Sequence, residues 1–153
     1  MSRSVRESIV IAAPPQRVWE TVMDPTRLER WVTTHDSVEQ ATPGPVSGGD
    51  SFKQKLRLAG KSFEVEWKVV EADAPHLARW EGDGPAGSTA NVVYRLEPED
   101  GGTRFEYENE FALPGGMLGK VAGGVLSAAP GRREARRSLD RLRALLEDEA
   151  DQP

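Results

Sequence analysis

The middle of the chain alternates. Over Ser51–Ala59, Phe52, Gln54, Leu56 and Leu58 fall on one side and Lys53, Lys55 and Arg57 on the other. Over Ser62–Glu71 the same rhythm sets Phe63, Val65, Trp67 and Val69 against Glu64, Glu66 and Lys68. Ala90, Val92, Tyr94 and Leu96 then alternate with Asn91, Val93 and Arg95, and Phe105, Tyr107, Asn109 and Phe111 with Arg104, Glu106, Glu108 and Glu110. Successive side chains on a strand point to opposite faces, so each run predicts a strand with one apolar and one solvated face. Gly60-Lys61 and Glu99-Asp100-Gly101-Gly102 supply turns between neighbours. Ala78 and Trp80 are assigned inward in a shorter strand, Leu77–Gly82, and Val38 marks a short edge strand before the turn-rich Thr42–Asp50. The outer charges change sign between adjacent runs. Lys53, Lys55 and Arg57 can oppose Glu64 and Glu66, which helps fix register although each pair is worth only about 0.2–1 kcal/mol.

The flanks read differently. Ser4–Ala12 is a first strand with Val5, Ile9 and Ile11 on one side. Val18, Trp19, Val22 and Met23 sit at helical spacing from Pro15 to Met23, and Asp24-Pro25 closes that helix and caps a short second one whose inner face is Leu28 and Trp31. After the last strand, Leu118, Val121, Val125, Ala128, Arg132, Ala135, Leu139, Leu142 and Leu146 recur three or four residues apart, one stripe of a long helix over Leu113–Glu149. Its other face carries Arg133, Arg136, Arg137, Asp140, Arg141 and Arg143. Gly115, Gly116, Gly119, Gly123 and Gly124 weaken its first half, each by about 1 kcal/mol against alanine. Pro130 predicts a kink or restart near Ser127–Gly131, with Ser127 as cap.

The order is a strand, two short helices, a meander and a long helix. From Ile9-Val10-Ile11-Ala12-Ala13-Pro14-Pro15 through Val18-Trp19 and Asp24-Pro25 to Trp31, the chain resembles the START-like, helix-grip superfamily, and more narrowly the bacterial polyketide cyclase/dehydrase-type (SRPBCC) proteins. Gly101-Gly102-Thr103 before the last alternating strand matches the family's final hairpin. The resemblance spans essentially the whole chain. It implies an α+β fold in one domain over residues 1–153, in which a curved antiparallel sheet of about six or seven strands wraps around the long C-terminal helix. The shared residues build the scaffold and leave the activity open.

A chain of 153 residues is large enough to bury about two-thirds of its unfolded surface. A net charge of −5 argues against a general nucleic-acid binder, which needs a basic footprint. The absence of cysteine excludes disulfides, thiolate nucleophiles and cysteine-based zinc sites. With neither an apolar leader nor a run of membrane-spanning length, the expectation is a cytoplasmic protein without membrane insertion, monomeric or a homodimer. Gly60-Lys61-Ser62 mimics the end of a phosphate loop, but Lys55 stands where that motif's first glycine belongs and no helix follows. His35 and His76 lie in different loops without a carboxylate at ligand spacing, so neither a metal nor a cofactor is expected. No Gly-x-Ser-x-Gly elbow anchors a hydrolase triad. The arginines of the last helix read as a solvated face, balanced by Glu134, Asp140 and the acidic Glu147–Asp151. The small-xxx-small spacing of Gly119 and Gly123 reads as close backbone approach.

What remains is the inner face. Phe52, Leu56, Val65, Trp67, Trp80, Val92 and Phe105, with Trp31 and the helix residues Leu118, Val121 and Val125, are apolar, and Gln54, Tyr94, Tyr107 and Asn109 sit among them. An unpartnered buried polar group costs roughly 1–3 kcal/mol, so four of them call for water, a ligand or one another. A mostly apolar wall with a few convergent polar groups is the usual lining of a small-molecule pocket, and helix-grip relatives commonly enclose one. In the bland alternative the core is solid, with Gln54 bonded to Asn109. Apart from Glu7 at the rim, this set holds no Asp, Glu, Lys or His. General acid–base work near neutral pH wants such a group, and tyrosine near 10 is a poor one. The leading expectation is a binding protein for a hydrophobic or aromatic small molecule (lipid, polyketide-like or isoprenoid). Two alternatives stay open. One is a polyketide aromatase/cyclase or dehydratase with Tyr94 or Tyr107 polarising a carbonyl. The other is a protein–protein accessory module of the chaperone-assisting or respiratory-assembly type. The soft glycine half, with Trp31 and the Thr42–Asp50 loop at the mouth, suggests a gate.

Overall fold

The alternating runs form seven strands: β1 (Ser2–Ile11), β2 (His35–Glu39), β3 (Ser51–Leu58), β4 (Lys61–Asp73), β5 (Leu77–Asp83), β6 (Thr89–Glu99) and β7 (Gly102–Ala112). This computed structural model describes residues 2–58, 60–112 and 131–150. The strands make one antiparallel sheet in the order β1-β7-β6-β5-β4-β3-β2, so the first strand is carried past the whole meander to pair with the last. Register follows the hydrophobic pattern. Phe52 faces Trp67 and Gln54 faces Val65 across β3 and β4, while Lys53 opposes Glu66 and Lys55 opposes Glu64. Arg57 departs from the expected pairing: it stands opposite Ser62, and its guanidinium lies 3.9 Å from Asp36 instead. On β5, Ala78 and Trp80 are buried at 0% and 3% exposure, as their parity requires.

Between β1 and β2 the chain forms α1 (Pro15–Val22), with proline in its first turn, and a 310 helix (Pro25–Arg30). Asp24 caps the second, its carboxylate accepting from the Thr26 amide at 2.9 Å and the Thr26 hydroxyl at 2.6 Å. The expected second helix is thus the tighter 310 form, about two turns with Trp31 at its end. A further short 310 helix, Pro85–Gly87, joins β5 to β6 and was not legible as a helix. The Thr42–Asp50 loop is tied down by backbone bonds from Val46 to Met23 at 2.9 Å and between Gly49, Asp50 and β4 at Val69.

The C-terminal helix, α2 (Arg132–Ala150), closes the concave side of the sheet. Leu139, Leu142 and Leu146 are each 0% exposed and Ala135 6%. Each leucine taken from water contributes about 1.5–3 kcal/mol. The sheet curled around this helix is the helix-grip architecture. Arg132 corrects the expected stripe. It opens the first turn of α2, and its side chain turns outward to pair with Glu7 at 2.8 Å. Leu118, Val121, Val125, Ala128, the glycines at 115–124, the Ser127 cap and the Pro130 kink lie outside the described residues, and so does the proposed soft gate.

Three further contacts seat α2. Arg27 donates from Nη2 to both oxygens of the Glu149 carboxylate, at 2.8 and 2.9 Å, tying the 310 helix to the last turn. Along β1, Arg136 donates to the Ser8 carbonyl at 3.0 Å, and the Ala12 amide donates to Glu147 at 3.1 Å.

Candidate functional site

Between α2 and the concave face lies a cavity of about 70 Å³. That is several times the roughly 10–15 Å³ one water needs. Its wall comes from four directions. The 310 helix and the residues after it give Leu28, Trp31, Val32 and Thr34; β3 and β4 give Gln54, Leu56 and Trp67; β5 to β7 give Trp80, Val92, Tyr94, Tyr107 and Asn109; α2 gives Glu134, Ala135, Ser138 and Leu139. Nine side chains singled out in the sequence therefore meet here: Trp31, Gln54, Leu56, Trp67, Trp80, Val92, Tyr94, Tyr107 and Asn109. Phe52, Val65 and Phe105 do not line it. They lie behind the wall at 1%, 4% and 0% exposure and back its aromatic rings. Phe52 meets Trp80 edge-on at 5.3 Å between centroids, and Phe105 tilts against Tyr94 at 5.2 Å. Tyr94 is the hub, 5.3 Å from Trp80, 6.2 Å from Trp31 and 6.1 Å from Tyr107.

The polar groups partner differently from the Gln54–Asn109 pair of the solid-core alternative. Gln54 accepts from the Trp67 indole N–H at 2.8 Å, and its amide nitrogen lies 2.9 Å from Nδ1 of His35. Asn109 instead donates to the Tyr107 hydroxyl at 2.9 Å, which leaves that phenol's own proton free to donate. Among the described residues, Asn109 Oδ1 and the indole nitrogens of Trp31 and Trp80 are buried without a partner. Burial pushes the Tyr94 phenol well above its ordinary 10, and the neighbouring Tyr107 adds to that. Burial also pushes Tyr107 up to about 12, against the Asn109 bond, which favours its ionised form. Both are neutral phenols at physiological pH.

These shifts carry a sign. Each folded phenol holds its proton above the unfolded value near 10, so its contribution is complete below about pH 10 and is lost as pH rises through the raised value, about 12 for Tyr107. Because the chain has only 2 tyrosines, tyrosinate absorbance reads them cleanly. We expect tyrosinate to appear together with loss of the circular-dichroism signal. A titration centred at 10 in a protein still folded would contradict the burial described here.

The sequence missed the α2 side of the rim. Thr33 bonds Glu134 at 2.7 Å through its hydroxyl, and its amide donates to the Ser138 hydroxyl at 3.1 Å. Glu134 and Ser138, with Thr34, thus make a polar lip, and the wall contains a carboxylate after all. Ser138 was findable, standing three residues after Ala135 and four before Leu142 on the buried stripe. Glu7 shares the inner face with Tyr107 across β1 and β7 but is spent on Arg132. No residue of 42–50 lines the cavity, and Trp31 is 1% exposed, part of the wall and not a mouth. Among the described residues no three His, Asp or Glu side chains gather as metal ligands do, and no helix is long and apolar enough to cross a membrane.

A curled sheet closed by a C-terminal helix over an aromatic-walled cavity defines the helix-grip class. Comparison with known proteins then places the chain within it. The family model described as "Polyketide cyclase / dehydrase and lipid transport" matches residues 2–147, and the chain belongs to that family. An uncharacterised protein of Mycobacterium tuberculosis is 27% identical over 100 residues, covering 65% of this chain and 70% of that protein. The crystal structure of TTHA0849 from Thermus thermophilus superposes with a TM-score of 0.75 at 18% identity, covering 97% of this chain and 100% of the other. DynU16, encoded in the dynemicin biosynthetic locus, gives a TM-score of 0.62 at 19% identity over 95% of this chain and 48% of its own.

Proposed function

We propose that the protein binds a hydrophobic or aromatic small molecule, with the buried end of that guest in the cavity between the sheet and α2. The observation that carries this reading is the wall itself, mostly aromatic and aliphatic yet holding a buried unpartnered acceptor at Asn109 Oδ1. An amide oxygen left dry costs roughly 1–3 kcal/mol unless water or a guest meets it. The family description, which joins polyketide chemistry and lipid transport, supports the same class of guest. At about 70 Å³ the space suits one small polar head or the tip of a chain, less than the roughly 150 Å³ of an apolar cavity that takes up benzene, while sites that enclose a whole drug-sized ligand run to about 300–1,000 Å³.

The test is gentle purification followed by native mass spectrometry, solvent extraction and titration with a panel of fatty acids, isoprenoid alcohols and polycyclic phenols. One class should bind at one molecule per chain and raise the melting temperature. If nothing copurifies and no member of the panel shifts the melting temperature, the reading fails.

The Tyr107–Asn109 pair favours one second reading, a cyclase or dehydratase acting in the same cavity. Asn109 orients the phenol and leaves its proton pointing away from the bond it accepts, the arrangement needed to polarise a substrate carbonyl. Turnover of a bound polyketone that is lost in Tyr107→Phe while binding is kept would favour it over simple carriage.

A further inference from the structure

Trp67 has only a proton to offer, so the atom of Gln54 that meets it must be the carbonyl oxygen, Oε1, at 2.8 Å. The amide therefore presents its NH₂ to His35, 2.9 Å away, and Nδ1 of that imidazole must accept. Only the neutral ring with its proton on Nε2 can do so. The side chains run in one direction, from the Trp67 indole to Gln54 to His35, and every link depends on the last ring staying uncharged. Both Gln54 and Trp67 belong to the cavity wall, while His35 stands behind it at the start of β2.

We infer that His35 is a proton-operated clamp on the cavity wall: protonating its Nδ1 sets two donors against each other, frees the Gln54 amide and loosens Trp67. The amide cannot escape by turning over. That would satisfy the imidazolium with Oε1 but put the NH₂ against the Trp67 N–H, moving the conflict one link along. The charged groups around the ring are Glu29 from the 310 helix, Asp36 beside it on β2, and Arg57 of β3, which lies 3.9 Å from Asp36. Burial lowers the His35 pKa from its ordinary 6.5, and the two carboxylates pull it partly back. The sign follows: the clamp's contribution is complete above about pH 6.5 and is lost as pH falls through the lowered value. A guest held against Trp67 is then released by acid. This last consequence rests on the binding function proposed above.

The experiment separates the two claims. In the whole protein without ligand, nitrogen NMR of the imidazoles should show His35 as the Nε2–H tautomer at neutral pH, and the Trp67 indole N–H resonance should move with the His35 titration. An Nδ1–H tautomer, or a Trp67 signal indifferent to that titration, overturns the clamp. With N-phenylnaphthylamine, a neutral aromatic probe, affinity should fall by about tenfold between roughly pH 7.5 and pH 5, the equivalent of one lost hydrogen bond. His35→Asn places an amide oxygen where Nδ1 accepts and cannot be protonated, so its affinity should be flat across that range. A slope as steep as wild type in that variant overturns the proposal. A probe that binds at no pH, while Trp67 still follows His35, supports the clamp and, with the ligand panel silent as well, overturns the binding function.

Discussion

Phe105→Ala should lower the melting temperature by roughly 6–20 °C, the largest loss expected from a single truncation in the wall's backing. The side chain is 0% exposed, edge-on to Trp31 at 6.3 Å and tilted on Tyr94 at 5.2 Å. Removing a buried phenylalanine costs about 3–5 kcal/mol, the transfer term plus the void left behind. In a domain of this size each kcal/mol moves the midpoint by about 2–4 °C. The void would open beside Tyr94, so the same variant should take up a small apolar probe more readily than wild type. Thermal denaturation followed by circular dichroism checks the first part. A loss under about 1 kcal/mol would mean that this ring does not support the hub as described.

Gly102→Ala is the second large effect, and it acts through the backbone. Gly102 follows the tight turn at Asp100 and Gly101, and a methyl group there would collide with the Ile11 carbonyl and press on Ala12. Neither can retreat. Ile11 is paired to Thr103 across β1 and β7, and the Thr103 hydroxyl donates to the Ala13 carbonyl at 2.7 Å from a fully buried position. Overpacking of this kind costs about 1–3 kcal/mol, and here the strain falls on main chain with no flexible side chain to absorb it. Gly101→Ala makes an informative companion. At φ +79° it is strained for a different reason, with open space around the added carbon. Equal melting temperatures for Gly102→Ala and wild type would refute the close approach at this corner.

These corners explain why so much of the fold was legible. Strand faces have a period of two and a sharp penalty for slippage, so Phe52, Val65, Trp67, Trp80 and Tyr94 had one side on which to fall. The same logic brought the amide and phenol groups inside. It could not say how they would pair, because partners depend on sheet curvature and on loops. Gln54 reaches His35 and Trp67 because β2 and β3 set His35 opposite Leu56, a pairing that no spacing in the sequence specifies. The helix was harder. Its stripe is broad, so extending it back through Arg132 cost nothing on paper. The chain enters the helix at that residue, where a long cation is better paired with Glu7 than buried. Glu134 reads from the sequence as part of the solvated face for a related reason. It stands at the edge of the stripe, and only the Thr33 hydroxyl and the ring of residues after the 310 helix draw it into the wall.

The contacts that seat α2 on the first strand have one more consequence. An open sheet ends in two rows of unpaired amides and carbonyls that invite another chain to dock and propagate into fibrils. Here the β1 border is shielded by the arginine that takes the Ser8 carbonyl and the glutamate that takes the Ala12 amide. The β2 border is five residues long and bears Asp36 and Glu39. Both margins of this sheet thus discourage templated aggregation, one by a cover and the other by brevity and like charge.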